Sequence, residues 1–282
     1  MKSFLGRFFF PAVLIVSVLV SSLGLSSATT INAYSWALGD LGHPRSSFSL
    51  GSARHLDGKN VIVSLFGESL KQKWTEEEKE RMLKDLTIAC DYIEDAAKEY
   101  GRNVEMIYDW NEEGCEDLLY SGFVHWDISK TPMGKQEAML DERIATWLKI
   151  RVDYEALMEK YDADGIFMIV YLNTGGRPYA ISYDGEDNPQ ESLIMYPGRE
   201  PATFAHEILH LFGAHDFYEG AEYTEDAVKY IEKKYPNDIM LRTDSGNEIP
   251  NTVGELTAYH LGWLERSEDV EEYPQLSRYE IK

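Results

Sequence analysis

Only two cysteines, Cys90 and Cys115, stand among the 282 residues. Two thiolates cannot complete a four-ligand structural zinc site, so any metal must be held by histidine and carboxylate. A framework of several disulfides is excluded as well. A single bridge between the two remains open beside an equally open reading as buried free thiols, because Cys90 falls on the apolar face of a helical pattern. Basic residues are also scarce, with 27 Lys and Arg against 49 Asp and Glu and a formal net charge of -22. A surface of that sign repels nucleic acid and anionic membranes, which excludes both as partners, and solubility is the plainest role for the acids. Some of the carboxylates could bind Ca2+, but no EF-hand loop is present to support it; Asp162-Ala163-Asp164-Gly165 has the opening of such a loop without its later glutamate and reads as a turn. There is no internal repeat.

What is present begins with a segment unlike the rest. Lys2 and Arg7 precede an apolar run from Phe8 to Val20, and Ser26-Ser27-Ala28 supplies the small residues of a cleavage site, so residues 1–28 read as a secretory signal. Membrane anchoring by the same segment left uncleaved is the alternative, although a span needs about 20 apolar residues and Ser17, Ser21, Ser22 and Gly24 dilute this one. Without the signal the formal net charge becomes -24, because Lys2 and Arg7 leave and no acid does. Residues 29–58 carry no sustained period and read as a leader or short pro-segment. The remainder, 59–282, is expected to be one catalytic-sized domain, divided at 213/214 into a larger N-terminal part and a smaller, mostly helical C-terminal part.

Within that domain the hydrophobic period switches repeatedly between strand and helix. Val61 to Phe66 reads as a buried strand. Thr75 and Glu78 form a capping-box pattern for a helix with Met82, Leu83, Leu86, Ala89, Cys90, Ile93 and Ala97 on one face. Val104 to Tyr108 reads as a second strand, residues 112–132 stay unassigned, and a second amphipathic helix is expected over 141–161. Ile166 to Leu172 is nearly all apolar, as a central strand covered on both faces would be. Gly175-Gly176 permits a reversal into 178–183, which Pro178 marks as an edge strand, and Ser192 to Tyr196 returns to the sheet. The order implies an α/β (α+β) fold: a twisted, mainly parallel five-stranded sheet with an antiparallel edge strand and backing helices.

The chemistry lies in Pro201-Ala202-Thr203-Phe204-Ala205-His206-Glu207-Ile208-Leu209-His210-Leu211-Phe212-Gly213-Ala214-His215-Asp216-Phe217-Tyr218. On a helix, residues four apart share a face, so His206 and His210 can bind one metal while Glu207, turned aside, can move a proton. Gly213 can stop the helix in a left-handed conformation and turn the chain back. Asp216 then stands where a side chain on the returning segment could complete the ligand set. His215, one residue away, is the alternative third ligand, because imidazole is a favoured zinc donor; Glu255 or His260 from the last helix would define a different class of site.

The run resembles the metzincin clan of zinc peptidases, whose extended motif is HExxHxxGxx followed by His or Asp. With Asp216 at the last position it is similar to the snapalysin and immune inhibitor A families, which also place a tyrosine two residues further on, here Tyr218. Asn237-Asp238-Ile239-Met240 resembles the Met-turn of that clan, and Gly254 to Trp263 is similar to its final helix, ending in Leu-Gly-Trp. The resemblance implies a metzincin-like zincin fold, one catalytic Zn2+ on His206, His210 and Asp216, a zinc-bound water activated by Glu207 as general base, and Met240 as an apolar floor. Tyr218 is then a candidate for a hydrogen bond to the transition state or, equally, a structural tyrosine. Tyr179, Ala180, Ile181 and Ser182 on the edge strand would take an extended peptide as an added strand. The expected activity is that of a secreted zinc endopeptidase acting on protein or peptide; a zinc-containing but proteolytically silent binding or adhesion module is the alternative.

Overall fold

The computed structural model describes residues 51–53, 55–68, 72–110, 114–123, 135–182, 190–218 and 223–277. The signal segment 1–28, residues 29–50 and Tyr183 lie outside the described residues. Strand β1 (Gly58–Glu68) is followed by α1 (Glu76–Glu99), β2 (Val104–Ile107), β3 (Leu119–Phe123), α2 (Gln136–Arg151), α3 (Tyr154–Tyr161) and β4 (Gly165–Leu172). Then come β5 (Tyr179–Ile181), β6 (Ser192–Met195), α4 (Pro201–Leu211), α5 (Glu225–Lys234), α6 (Glu255–His260) and α7 (Glu268–Glu272).

The sheet runs β2-β1-β4-β6-β5, parallel except for β5, which pairs antiparallel to β6 as the proline-marked edge. The mixed α/β architecture expected from the sequence is the one observed. One strand was not legible: β3, from the unassigned stretch, pairs parallel to Ser64–Glu68 of β1, while β2 takes Gly58–Val61 on the same edge. Two short strands therefore share one side of β1 end to end, and among the described residues the sheet has six strands.

Successive side chains of a strand point to opposite faces, and two cores follow. Ile62, Phe66, Phe167, Ile169, Tyr171, Leu193 and Met195 face α1 and α4. Val61, Val63, Leu65, Ile166, Met168, Val170 and Ile194 face α2 and α3. Cys90 belongs to the first core and Cys115 to the second, so the sheet stands between them and no disulfide joins them. The capping box of α1 is present, with Thr75 Oγ1 accepting from Glu78 N–H at 3.2 Å and Glu78 Oε2 accepting from Thr75 N–H at 2.8 Å.

The single helix expected over 141–161 is instead two. Val152 is extended, and the Asp153 carboxylate accepts the Ala156 N–H at 3.1 Å, capping α3. An N-cap aspartate satisfies a backbone donor that a continuous helix would already have used, and here it starts a new helix. Ahead of β1, Ser52, Ala53 and Leu56 are fully buried; Glu191 accepts the Ala53 N–H at 2.8 Å, and the Trp263 indole donates to the Leu56 carbonyl at 2.7 Å. Among the described residues, no helix is long and apolar enough to cross a membrane.

Candidate metal centre

Helix α4 opens with Pro201 at its first turn, where a missing N–H costs nothing. It lies against the sheet in the same core as α1, and every residue from Phe204 to Leu209 is buried. Its end is fixed by Gly213, at φ +95°. The Gly213 N–H donates to the His210 carbonyl at 3.0 Å and the Ala214 N–H to the Leu209 carbonyl at 3.1 Å, the paired bonds of a Schellman motif. That reversal carries Asp216 back beneath the two histidines.

His206, His210 and Asp216 each offer one ligand atom, all lying within 4.8 Å of one another. Asp216 Oδ1 is 3.1 Å from His206 Nε2 and 3.2 Å from His210 Nε2, and the two Nε2 atoms are 3.1 Å apart. The imidazole planes stand at 87°. Each ring's other nitrogen meets a backbone carbonyl: His206 Nδ1 at 2.9 Å from Ile239 O, and His210 Nδ1 at 2.8 Å from Ala214 O. A carbonyl only accepts, so both Nδ1 atoms carry protons, and in the neutral rings both Nε2 lone pairs turn toward Asp216.

Three electron-rich atoms at such spacing repel unless positive charge sits among them. Asp216 Oδ1 is itself buried without a hydrogen bond of good geometry. Protons on the imidazoles are one remedy. Burial by itself would raise the Asp216 carboxyl, but bonding to His206 and His210 holds it well below the usual carboxylate range. Burial would lower His210, yet the bond to Asp216 and its charge raise it. A divalent cation is the other remedy, and two neutral imidazoles with one carboxylate form a donor set suited to zinc.

Glu207 is buried beside this group without belonging to it. Burial pushes its carboxyl up against the pull of His206 and His210, which suits a group that must take and release a proton. The Tyr218 hydroxyl donates to Asp216 Oδ2 at 2.5 Å, and burial and that bond raise its pKa. His215 lies outside the three-residue group: its Nδ1 is 2.8 Å from the Tyr223 hydroxyl, and its ring packs on His260 at 4.8 Å between centroids. His260 is bonded to the Leu276 carbonyl at 2.7 Å, and Glu255 is exposed.

Met240 is fully buried in the core that contains α4, and its carbonyl accepts the Phe217 N–H at 2.9 Å, tying the turn to the segment that carries Asp216. On the edge strand, Ala180 packs toward the α4 core, whereas Ile181 and Tyr179 pack toward the other; the Tyr179 hydroxyl donates to Asp141 at 3.0 Å. Ser182 follows the strand and donates to the His210 carbonyl at 3.4 Å.

Two contributors were missed in the sequence. Asp238 is fully buried and accepts the Met240 N–H at 2.8 Å, the Gly254 N–H at 2.7 Å and the Thr257 hydroxyl at 2.9 Å. An aspartate two residues before its backbone donor is a turn signal that could have been read. Arg177 reaches the Tyr218 hydroxyl at 3.0 Å, and only a cation near a turn in an acidic chain could have hinted at it.

No family model matches this chain, and no curated protein matches it. Among solved structures it is similar to OgpA from Akkermansia muciniphila. The catalytically inactive form, in complex with an O-glycopeptide substrate, glycodrosocin, aligns at 12% identity with a TM-score of 0.43. The wild-type form aligns at 12% identity with a TM-score of 0.41. Both alignments cover 78% of this chain and 62% of OgpA, so the chain spans less than two thirds of that protein's length.

Proposed function

We propose that this chain is a secreted zinc-dependent endopeptidase of the metzincin type, with His206, His210 and Asp216 as metal ligands and Glu207 as general base. The observation that carries the reading is the convergence of two Nε2 lone pairs and a carboxylate oxygen within 3.2 Å of one another, with both Nδ1 atoms already committed to carbonyls. That arrangement has a chemical purpose once a cation fills it.

Zinc held there would supply Lewis acidity, making a water nucleophilic near neutral pH and polarising the scissile carbonyl. The Glu207 carboxylate, raised by burial, takes the proton of the attacking water and delivers it to the leaving amine. The outer edge of β5, the last strand of the sheet, offers backbone groups to an extended peptide, with Tyr179, Ala180 and Ile181 setting its direction. Met240 fills the space below the ligands, and Tyr218 stands ready to donate toward developing negative charge.

The test joins elemental analysis of protein purified without chelator to mass-spectrometric profiling of cleaved peptides. The expected result is about one zinc per chain and cleavage abolished by chelation. Glu207→Gln should keep the metal and lose activity by about 10²- to 10⁴-fold. Chelator-insensitive cleavage would sink the reading, and a Glu207→Gln protein matching wild type on every peptide would favour the silent binding module.

A further inference from the structure

Arg177 is placed by its neighbours rather than by its own side chain. On one side, Gly176 lies so close to Tyr196 that an added Cβ would come within 2.3 Å of the ring, and its carbonyl accepts a bond from the Arg199 guanidinium. On the other side, Pro178 is buried and leads directly into the edge strand, and a residue before proline is held extended. The backbone of Arg177 is thus pinned at the entrance to β5 while its side chain is exposed.

From there the guanidinium reaches the metal centre in two hydrogen bonds, 3.0 Å to Tyr218 and 2.5 Å from Tyr218 to Asp216. Of its five N–H donors, the bond to Tyr218 uses one. Among the described residues, no carboxylate forms an ion pair with it, whereas Arg102 and Arg242, for example, each pair with an acid and Arg81, Arg151 and Arg199 do not. An exposed guanidinium with donors to spare, two hydrogen bonds from the proposed metal ligands, is placed to meet an anionic group of a bound peptide.

We infer that Arg177 is a specificity-determining residue, which binds a carboxylate side chain of the peptide, Asp or Glu, close to the scissile bond. The inference rests on the peptidase reading above. A planar fork of donors matches a carboxylate in two parallel bonds, which an ammonium does not. An extended peptide advances about 3.3 Å per residue, so a group two hydrogen bonds from the metal ligands meets a side chain within about two residues of the cleaved bond. The overall negative charge does not oppose this contact, because salt screens charges beyond about 8 Å while the contact itself is direct.

The experiment compares isosteric peptide pairs, Glu against Gln and Asp against Asn, at each position around a bond found by unbiased library profiling. Wild type should favour the acid by about tenfold or more in kcat/KM at one position within two residues of the bond. Arg177→Ala should bring that ratio close to one, and Arg177→Glu should transfer the preference to Lys. Unchanged thermal melting and zinc content would place both effects in the cleft. A wild-type ratio near one, a ratio that survives Arg177→Ala, or an equal loss on acid and amide peptides would each overturn the inference; the last would make Arg177 a support for Tyr218. Failure of the zinc-loaded wild type to cleave any peptide would instead remove the peptidase reading, and the inference with it.

Discussion

His206 Nδ1 lies 2.9 Å from the carbonyl oxygen of Ile239, the residue before Met240. The bond spans 33 positions of sequence and makes the turn around Met240 the orienting partner of a proposed metal ligand. The turn in turn hangs on Asp238, whose two oxygens gather the Met240 and Gly254 N–H groups and the Thr257 hydroxyl. Outer groups of this kind fix the tautomer and angle of a ligating imidazole.

Asp238→Ala should therefore act at a distance. It leaves three donors without their acceptor, two of them buried, at a cost of about 3 kcal/mol in the chemical-denaturation stability of the metal-free protein. Zinc affinity, read by competition with a chromogenic chelator, should fall about 10- to 100-fold. A comparably destabilising change elsewhere in the core, such as Leu256→Ala, gives the reference: equal zinc loss in both variants would mean that Asp238 supports only the fold.

Gly213→Ala tests the reversal that brings Asp216 to the histidines. At φ +95° a side chain is strained, by about 1–3 kcal/mol. The last turn of α4 should relax and carry Asp216 away from its position. Stability and zinc affinity should drop together, and peptidase activity with them. Full zinc affinity in a folded Gly213→Ala protein would show that the left-handed residue is not what positions Asp216.

Much of this arrangement was legible because the signals were local. The Thr75 and Glu78 box, the apolar run of β4 and the His206, Glu207, His210 spacing each lie within one turn of helix or one strand, where periodicity speaks directly. The break at Val152 was hidden because apolar positions keep helical spacing across it, so only the Asp153 cap marks it. Strand β3 was hidden because it is short, contains Gly122 and gains its partners from β1 more than 50 positions earlier. The carbonyls of Ile239 and Ala214 were unreadable in principle, since every residue has one and only the fold selects which meets an imidazole.

The two thiols give a prediction about redox behaviour. Cys90 and Cys115 are buried in separate cores, and burial raises the Cys90 thiol well above its usual range. Reductant should leave the melting temperature unchanged, and a thiol reagent should label both residues only as the protein unfolds. An intact mass 2 Da below the reduced chain, which is about the mass of two hydrogens, would mean that a bridge forms and that the separation of the two cores is wrong.

Asp269 joins the C-terminal helices and should give stability a defined acid limb. It is almost wholly buried, and it accepts from the Tyr230 and Tyr235 hydroxyls, each at 2.6 Å, and from Lys234 Nζ at 2.5 Å. Burial would raise its carboxyl, but Lys234 and the two phenols lower it below the ordinary range. A carboxyl that ionises more readily folded than unfolded stabilises fully above its unfolded pKa of about 3.9, and loses that contribution as pH falls through the folded value. Asp269→Asn should cost about 2 kcal/mol at pH 7, because it leaves Lys234 without its counter-charge. The gap between variant and wild type in urea titrations should hold from pH 7 to about 5 and narrow below about 4. A gap that widened on acidification would reverse the sign and remove Asp269 as an ionised anchor.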